Sequence, residues 1–143
     1  MAGPRQVLDK LNDAFLAKDL KTVGECYADN AVAVTPDQGE IRGRDHIMEY
    51  HRQFIDAFSD MSFDFVAQHE CGNLAIDEGT MVGKNTGDLP LPSGERIPAT
   101  GKQVRVRECD VAVVENGVIT AHRFYFDQAD FLTQLGLMPD MPS

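Results

Sequence analysis

No stretch of this 143-residue sequence comes near the roughly 20 consecutive apolar residues that a helix needs to cross a bilayer. The opening residues, Met1-Ala2-Gly3-Pro4-Arg5, run directly into a polar helical pattern with no secretory hydrophobic segment, so a cytoplasmic protein is expected. Basic residues are scarce. Thirteen Lys and Arg stand against 23 Asp and Glu, a formal charge of −10. A field of that sign repels phosphate backbones and anionic lipid, so neither nucleic acid nor a membrane is an expected partner. The three cysteines, Cys26, Cys71 and Cys109, are odd in number and far apart. That excludes a disulfide framework, a zinc knuckle and a short redox motif, and leaves each as a small, mostly buried apolar residue. The four histidines, His46, His51, His69 and His122, include no pair at i, i+4, so no metal site is expected.

What is present is ordinary globular composition, 43% hydrophobic and 25% charged, in a length that fits one domain over residues 1–143. Val7, Leu8, Leu11, Ala14 and Phe15 form a helical stripe over Pro4 to Lys18, with Pro4 tolerated in the first turn. Asp19 is placed to cap a short second helix, Leu20 to Tyr27, whose inner side would be Leu20, Val23 and Tyr27. Asp29 reads as a turn residue. Ala31 to Val34 is a short β-prone run, stopped by Thr35-Pro36-Asp37-Gln38-Gly39. A third helix follows Arg42-Gly43-Arg44-Asp45, with Ile47, Tyr50, Phe54, Ile55 and Phe58 inward and His51 at the edge of that face. After Ser59-Asp60 the period drops from 3.6 to 2, and Met61 to Ala67 alternates as a half-exposed strand does. Gly72-Asn73 turns the chain into a strand over Leu74 to Thr86. Residues 87–101 form the longest irregular stretch, punctuated by Pro90, Pro92, Gly94 and Pro98. Val104 to Val114 and Val118 to Phe126 are two strands joined by Glu115-Asn116-Gly117, a strong hairpin signal. Asp127 then caps a short helix with Phe131, Leu132 and Leu135. Helices segregated from a meander of strands imply an α+β domain.

Several phrases in that order resemble the SnoaL-like family of the nuclear-transport-factor-2-like superfamily across nearly the whole chain. They are Tyr27-Ala28-Asp29-Asn30-Ala31, Ile41-Arg42-Gly43-Arg44-Asp45, Ala57-Phe58-Ser59-Asp60-Met61-Ser62-Phe63, Ala99-Thr100-Gly101-Lys102, Glu115-Asn116-Gly117-Val118-Ile119, and Tyr125-Phe126-Asp127-Gln128 with Leu135-Gly136-Leu137. The resemblance implies a cone-shaped, strongly curved antiparallel sheet wrapped around three N-terminal helices, with a short C-terminal helix. It further implies an apolar cavity at one end and a homodimer through the sheet's outer face. Family members include cyclases, isomerases, dehydratases and epoxide hydrolases that need no cofactor, and proteins without known chemistry. The fold alone does not decide among them.

Alternation sorts the last two strands into faces. Val104, Val106, Glu108, Asp110, Ala112 and Val114 share one, with Val118, Thr120, His122, Phe124 and Phe126 beside them. Arg105 and Arg107 fall on the opposite face, as exposed or interface charges. The apolar pairs Val111/Val113 and Ile119/Tyr125 would also face outward, which a second copy of the chain would cover. In polyketide cyclases of the family a histidine and an aspartate on these strands project into the cavity; the matching positions here are Asp110 and Phe124. The steroid isomerases' general base matches Thr35 and their helix-one tyrosine matches Leu11, and an epoxide-hydrolase ending would want an aspartate at Phe124. None of those mechanisms transfers intact.

Glu108, Asp110 and His122 remain as catalytic candidates. A carboxylate beside an imidazole fixes its tautomer, and two carboxyl groups in an apolar pocket can keep one protonated near neutral pH. Phe15, Tyr50, His51, Phe54, Phe58, Phe124 and Phe126 are the expected substrate-binding lining. The expectation is acid–base chemistry without cofactor or metal on a small apolar or polycyclic, polyketide-like compound. The alternative is a non-catalytic small-molecule-binding or accessory protein with the same pocket.

Overall fold

The computed structural model describes residues 2–91 and 93–138; Met1 and Pro92, the latter expected to punctuate the long loop, lie outside them. Four helices run over Pro4–Leu16 (α1), Leu20–Glu25 (α2), Arg44–Ala57 (α3) and Gln128–Gln134 (α4). The strands are Tyr27–Thr35 (β1), Gly39–Arg42 (β2), Phe58–Cys71 (β3), Leu74–Asn85 (β4), Leu89–Pro90 (β5), Arg96–Ile97 (β6), Gln103–Glu115 (β7) and Val118–Phe126 (β8). Six of them form one curved sheet in the order β2-β1-β8-β7-β4-β3. This is the expected α+β architecture, with one difference: β1 pairs parallel to β8, so the sheet is mixed. The two-stranded ribbon β5–β6 lies within the stretch read as irregular, and β2, which pairs with β1, was hidden among turn residues.

Local chemistry accounts for the boundaries. Pro4 opens α1, where its missing N–H costs nothing. Asp19 and Asp127 accept from the backbone N–H of Thr22 (3.2 Å) and Asp130 (2.9 Å), capping α2 and α4 as expected. Asn116 and Gly117 take φ of 53° and 79°, the left-handed pair that a tight β7–β8 hairpin requires.

The helical stripe of α1 is fully inside, with Val7, Leu8, Leu11, Ala14 and Phe15 all buried against the concave side of the sheet. Burying one such side chain contributes about 1.5–3 kcal/mol. A second apolar cluster, including Ala57, Phe58, Val104, Val106, Phe131 and Leu135, seals the end where α4 packs on β7.

Several expectations need correction. The second helix stops at Glu25, and Tyr27 is the first residue of β1 and wholly buried. Asp29 lies within β1 rather than a turn, and its carboxylate pairs with Arg44 at 2.7 Å. Phe58 is not the last residue of the helical face but the first of β3. Cys71, at the end of β3, is exposed rather than buried. Ile119 was assigned to the outer face but is 0% exposed. The cause is a bulge: Val113 pairs with Ala121 but Val114 pairs with Ile119, so Thr120 is the extra residue and alternation in β8 restarts there. Both Ile119 and His122 thereby point inward.

Candidate active site

A cavity of about 100 Å³ opens between the concave face of the sheet and helices α1, α3 and α4. Its lining includes six of the seven residues expected to bind substrate, namely Phe15, Tyr50, His51, Phe54, Phe124 and Phe126. The seventh, Phe58, lies outside that lining. It is buried in the second apolar cluster, with its ring 5.7 Å from that of Phe131. Glu108, Asp110 and His122 all line the same cavity, as the alternation of β7 and β8 predicts. Leu11, Asn12, Phe63, Met81, Val106 and Phe131 complete it. The walls are overwhelmingly apolar, and the polar groups converge at one side.

Those polar groups are joined. Asp110 Oδ2 lies 2.6 Å from His122 Nε2; Asp110 is 5% exposed and His122 is 1% exposed. The other ring nitrogen of His122, Nδ1, is 2.7 Å from the Tyr27 hydroxyl, and that hydroxyl is 2.8 Å from His51 Nε2. The row runs from β7 through β8 and β1 to α3, tying three strands to a helix through side chains alone. The ring of Phe124 leans over His122 with centroids 3.9 Å apart. Both ring nitrogens of His122 are therefore committed within the row. It was expected as the partner of Asp110 or Glu108, and it stands beside Asp110 as an interior link.

Burial decides the charge states. Glu108 is pushed up to about 9, chiefly by desolvation, then by the negative charges of Asp110 and Asp77 and a hydrogen bond with Asp110. It is a neutral carboxylic acid at pH 7. His51 is pushed down to about 3 by burial, reinforced by His122, so it is a neutral imidazole. Tyr27 is held well above its ordinary value by burial and by Asp110. Tyr50 is likewise raised by burial, and its hydroxyl donates to Asp37 Oδ1 at 2.9 Å, which turns its polar end away from the row.

A second buried carboxylate stands behind the first. Asp77 on β4 pairs in register with Asp110 on β7 and is 0% exposed. Its oxygens are 2.7 Å from Arg5 Nη2, 2.7 Å from Asn12 Nδ2 and 3.2 Å from Gln68 Nε2. Among the described residues, no group of three His, Cys, Asp or Glu side chains is arranged to hold a metal ion.

One participant escaped the sequence reading, and a second, expected in the lining, was placed less deeply than it lies. Tyr27 was assigned to the wrong element. His51 was placed at the edge of its helix face, although its spacing from Ile47 and Ile55, four residues each way, is that of an inward residue.

The helices packed on a curved six-stranded sheet agree with the fold that the comparisons find. The SnoaL-like domain family matches residues 8–122. The chain belongs to the SnoaL-like family. Among solved structures, TsrD from Streptomyces laurentii is 22% identical with a TM-score of 0.75, covering 93% of this chain and 94% of that one. IdmH, a candidate polyketide cyclase from Streptomyces antibioticus, is 22% identical with a TM-score of 0.73, over 91% of this chain and 96% of its own. A candidate SnoaL-like polyketide cyclase from Jannaschia superposes with a TM-score of 0.78 at 14% identity, over 93% and 91%. These likenesses establish a shared fold. No curated protein matches the sequence.

Proposed function

We propose that this SnoaL-like protein is an enzyme that performs acid–base chemistry, a cyclisation, isomerisation or dehydration, on a small apolar compound. The observation that carries the reading is the placement of Glu108: its carboxyl group lines an apolar cavity beside Asp110, and burial there pushes its pKa up to about 9. A proton donor of that kind serves where negative charge develops on a carbonyl or a leaving oxygen. The negative charge of Asp110 beside it opposes ionisation and keeps the donor loaded until the substrate takes the proton. The cyclase names carried by structural relatives are compatible with this chemistry but belong to those proteins.

The cavity limits the substrate. Its volume of about 100 Å³ is less than the engineered apolar cavity of about 150 Å³ that holds one benzene. The buried part of the substrate is accordingly a single ring or a short alkyl end, with any polycyclic remainder at the mouth.

Native mass spectrometry of freshly purified protein would identify a co-purifying small molecule, which is then incubated with wild type and Glu108→Gln. Turnover by the wild type, reduced at least about 100-fold in the variant, is the expected result. Recovery of the compound unchanged by wild type would instead mark a non-catalytic binding protein. We also propose pairing with a second copy through the outer sheet face, where Val34, Val66 and Tyr125 are exposed. A monomer by sedimentation at micromolar concentration would contradict that.

A further inference from the structure

We infer that His51 is the base of the site, working as the open end of a proton relay that runs through Tyr27 to the His122–Asp110 pair and closes on Glu108. The inference rests on the acid–base reading above and adds the group that takes the proton. The constraints are those of donors and acceptors. Glu108 holds the proton of the carboxyl pair, so Asp110 is the acceptor, and His122 Nε2 must carry hydrogen toward it at 2.6 Å. In neutral His122 the Nδ1 is then an acceptor, and the Tyr27 hydroxyl, 2.7 Å away, donates to it. A phenol has one proton, so the Tyr27 oxygen accepts from its other neighbour, His51 Nε2, at 2.8 Å. With its hydrogen on Nε2, His51 presents a bare lone pair at Nδ1. That nitrogen has no partner among the described residues and is not among the sealed, unpaired polar atoms, while His51 itself lines the cavity.

The relay removes an apparent contradiction. An imidazole that resists protonation down to about pH 3 is a poor base if it must hold the charge itself. It need not hold it. When a substrate C–H or O–H gives its proton to His51 Nδ1, the bonding electron pair stays on the substrate. The Nε2 hydrogen of His51 passes to the Tyr27 oxygen, and the Tyr27 hydrogen passes to His122 Nδ1. His51 ends neutral with its hydrogen on Nδ1, and the positive charge sits on His122 against the Asp110 carboxylate. Glu108 supplies a proton to the substrate at another atom and becomes a carboxylate. The His122 Nε2 proton then moves through Asp110 to Glu108, which leaves both imidazoles with hydrogen on Nδ1. Once product leaves, water in the cavity carries the His51 Nδ1 proton to Glu108 while the Glu108 proton returns through Asp110 to His122 Nε2 and the row shifts back, so both Nε2–H tautomers are restored with no net gain or loss of protons. Such a circuit suits a reaction that removes a proton at one atom and adds one at another, which makes isomerisation or tautomerisation of an enolisable compound the favoured class.

The titratable groups facing His51 are few. Tyr27 comes from β1, His122 from β8, Glu108 and Asp110 from β7, and Tyr50 from its own helix, with Tyr50 committed to Asp37. From α1 and β3 come Phe15 and Phe63 at the cavity, without charge. His51 is the catalytic base in this scheme; Tyr27, His122 and Asp110 are positioning and relay residues.

Side-chain ¹⁵N NMR on full-length protein tests the relay without any substrate. Wherever His122 carries hydrogen on Nε2 alone, His51 should also carry its hydrogen on Nε2. Wherever His122 carries hydrogen on both nitrogens, His51 should carry its hydrogen on Nδ1 with no charge. In Tyr27→Phe that linked switch should vanish, while a merely structural tyrosine would leave it in place. Should the variant not fold, the wild-type titration decides alone. Hydrogen on His51 Nδ1 while His122 is neutral, or a His51 tautomer indifferent to the charge of His122, would overturn the inference. Because no turnover is read, the relay can fail while the Glu108 reading stands, and the reverse.

Discussion

Two buried carboxylates sit side by side on this sheet, and their surroundings could hardly differ more. Asp77 and Asp110 are register partners across β4 and β7, both at most 5% exposed. Asp77 is answered by a guanidinium and two amides, all anchored on α1 and β3. Its charge is matched by a cation that never titrates, so the cluster pins helix to sheet. Asp110 is answered by an imidazole and a protonated carboxyl group, both of which can exchange protons. Burial makes an anion costly in either place; the kind of partner decides whether the result is a clamp or a reactive site.

That contrast can be broken from either side. The largest expected effect is on turnover: Glu108→Gln keeps size and one hydrogen-bond donor but cannot release a proton, and should lower the rate by about 10² to 10⁴ with the fold intact by circular dichroism. Next comes the clamp. Asp77→Ala leaves the Arg5 guanidinium, 21% exposed, without its buried partner. A loss of about 2–4 kcal/mol in urea unfolding is expected, below the value for a fully sealed pair because Arg5 still meets water. Asp77→Asn should also bring Glu108 down from about 9, since the Asp77 charge helps to hold it up.

The third effect is on pH dependence. Glu108 has a folded pKa raised to about 9 from 4.5, so the folded state binds the extra proton between those values. Its contribution is complete below about 4.5 and is lost as pH rises toward 9, which amounts to a few kcal/mol at roughly 1.4 per unit. His51 has the opposite sign: with its pKa lowered from 6.5 to about 3, it favours the folded state above 6.5 and withdraws that support as pH falls toward 3. Stability measured by denaturant from pH 4 to 9 should therefore be highest between about 4.5 and 6.5 and fall above that, and Glu108→Gln should remove the alkaline fall and leave stability rising up to about pH 6.5. The smallest effect is Tyr27→Phe, which strips one hydroxyl from two imidazoles and should cost about 1–3 kcal/mol.

The sequence carried the scaffold well because periodicity is a local property. The α1 stripe, the inward face of β7, the caps at Asp19 and Asp127 and the Asn116-Gly117 hairpin all depend on neighbours within a turn or two. Glu108, Asp110 and His122 were found for the same reason. What escaped was set by distant pairing. The Thr120 bulge that turns Ile119 inward shows only in the pairing of β8 with β7, where Val114 meets Ile119. Tyr27 looks helical from its near neighbours, and only the parallel pairing with Ile119 makes it a strand residue facing two imidazoles. The Arg5–Asp77 clamp joins residues 72 positions apart, which no spacing rule reports.

The most direct test of the account is a ¹³C NMR titration of the Glu108 side-chain carboxyl group in the folded protein. The account predicts a midpoint near 9, with Glu108 protonated through neutrality and Asp110 beside it as the acceptor. A midpoint near the ordinary 4.5 would contradict it: the cavity would then hold two carboxylates and no acid, and the proposed chemistry would lose its proton donor.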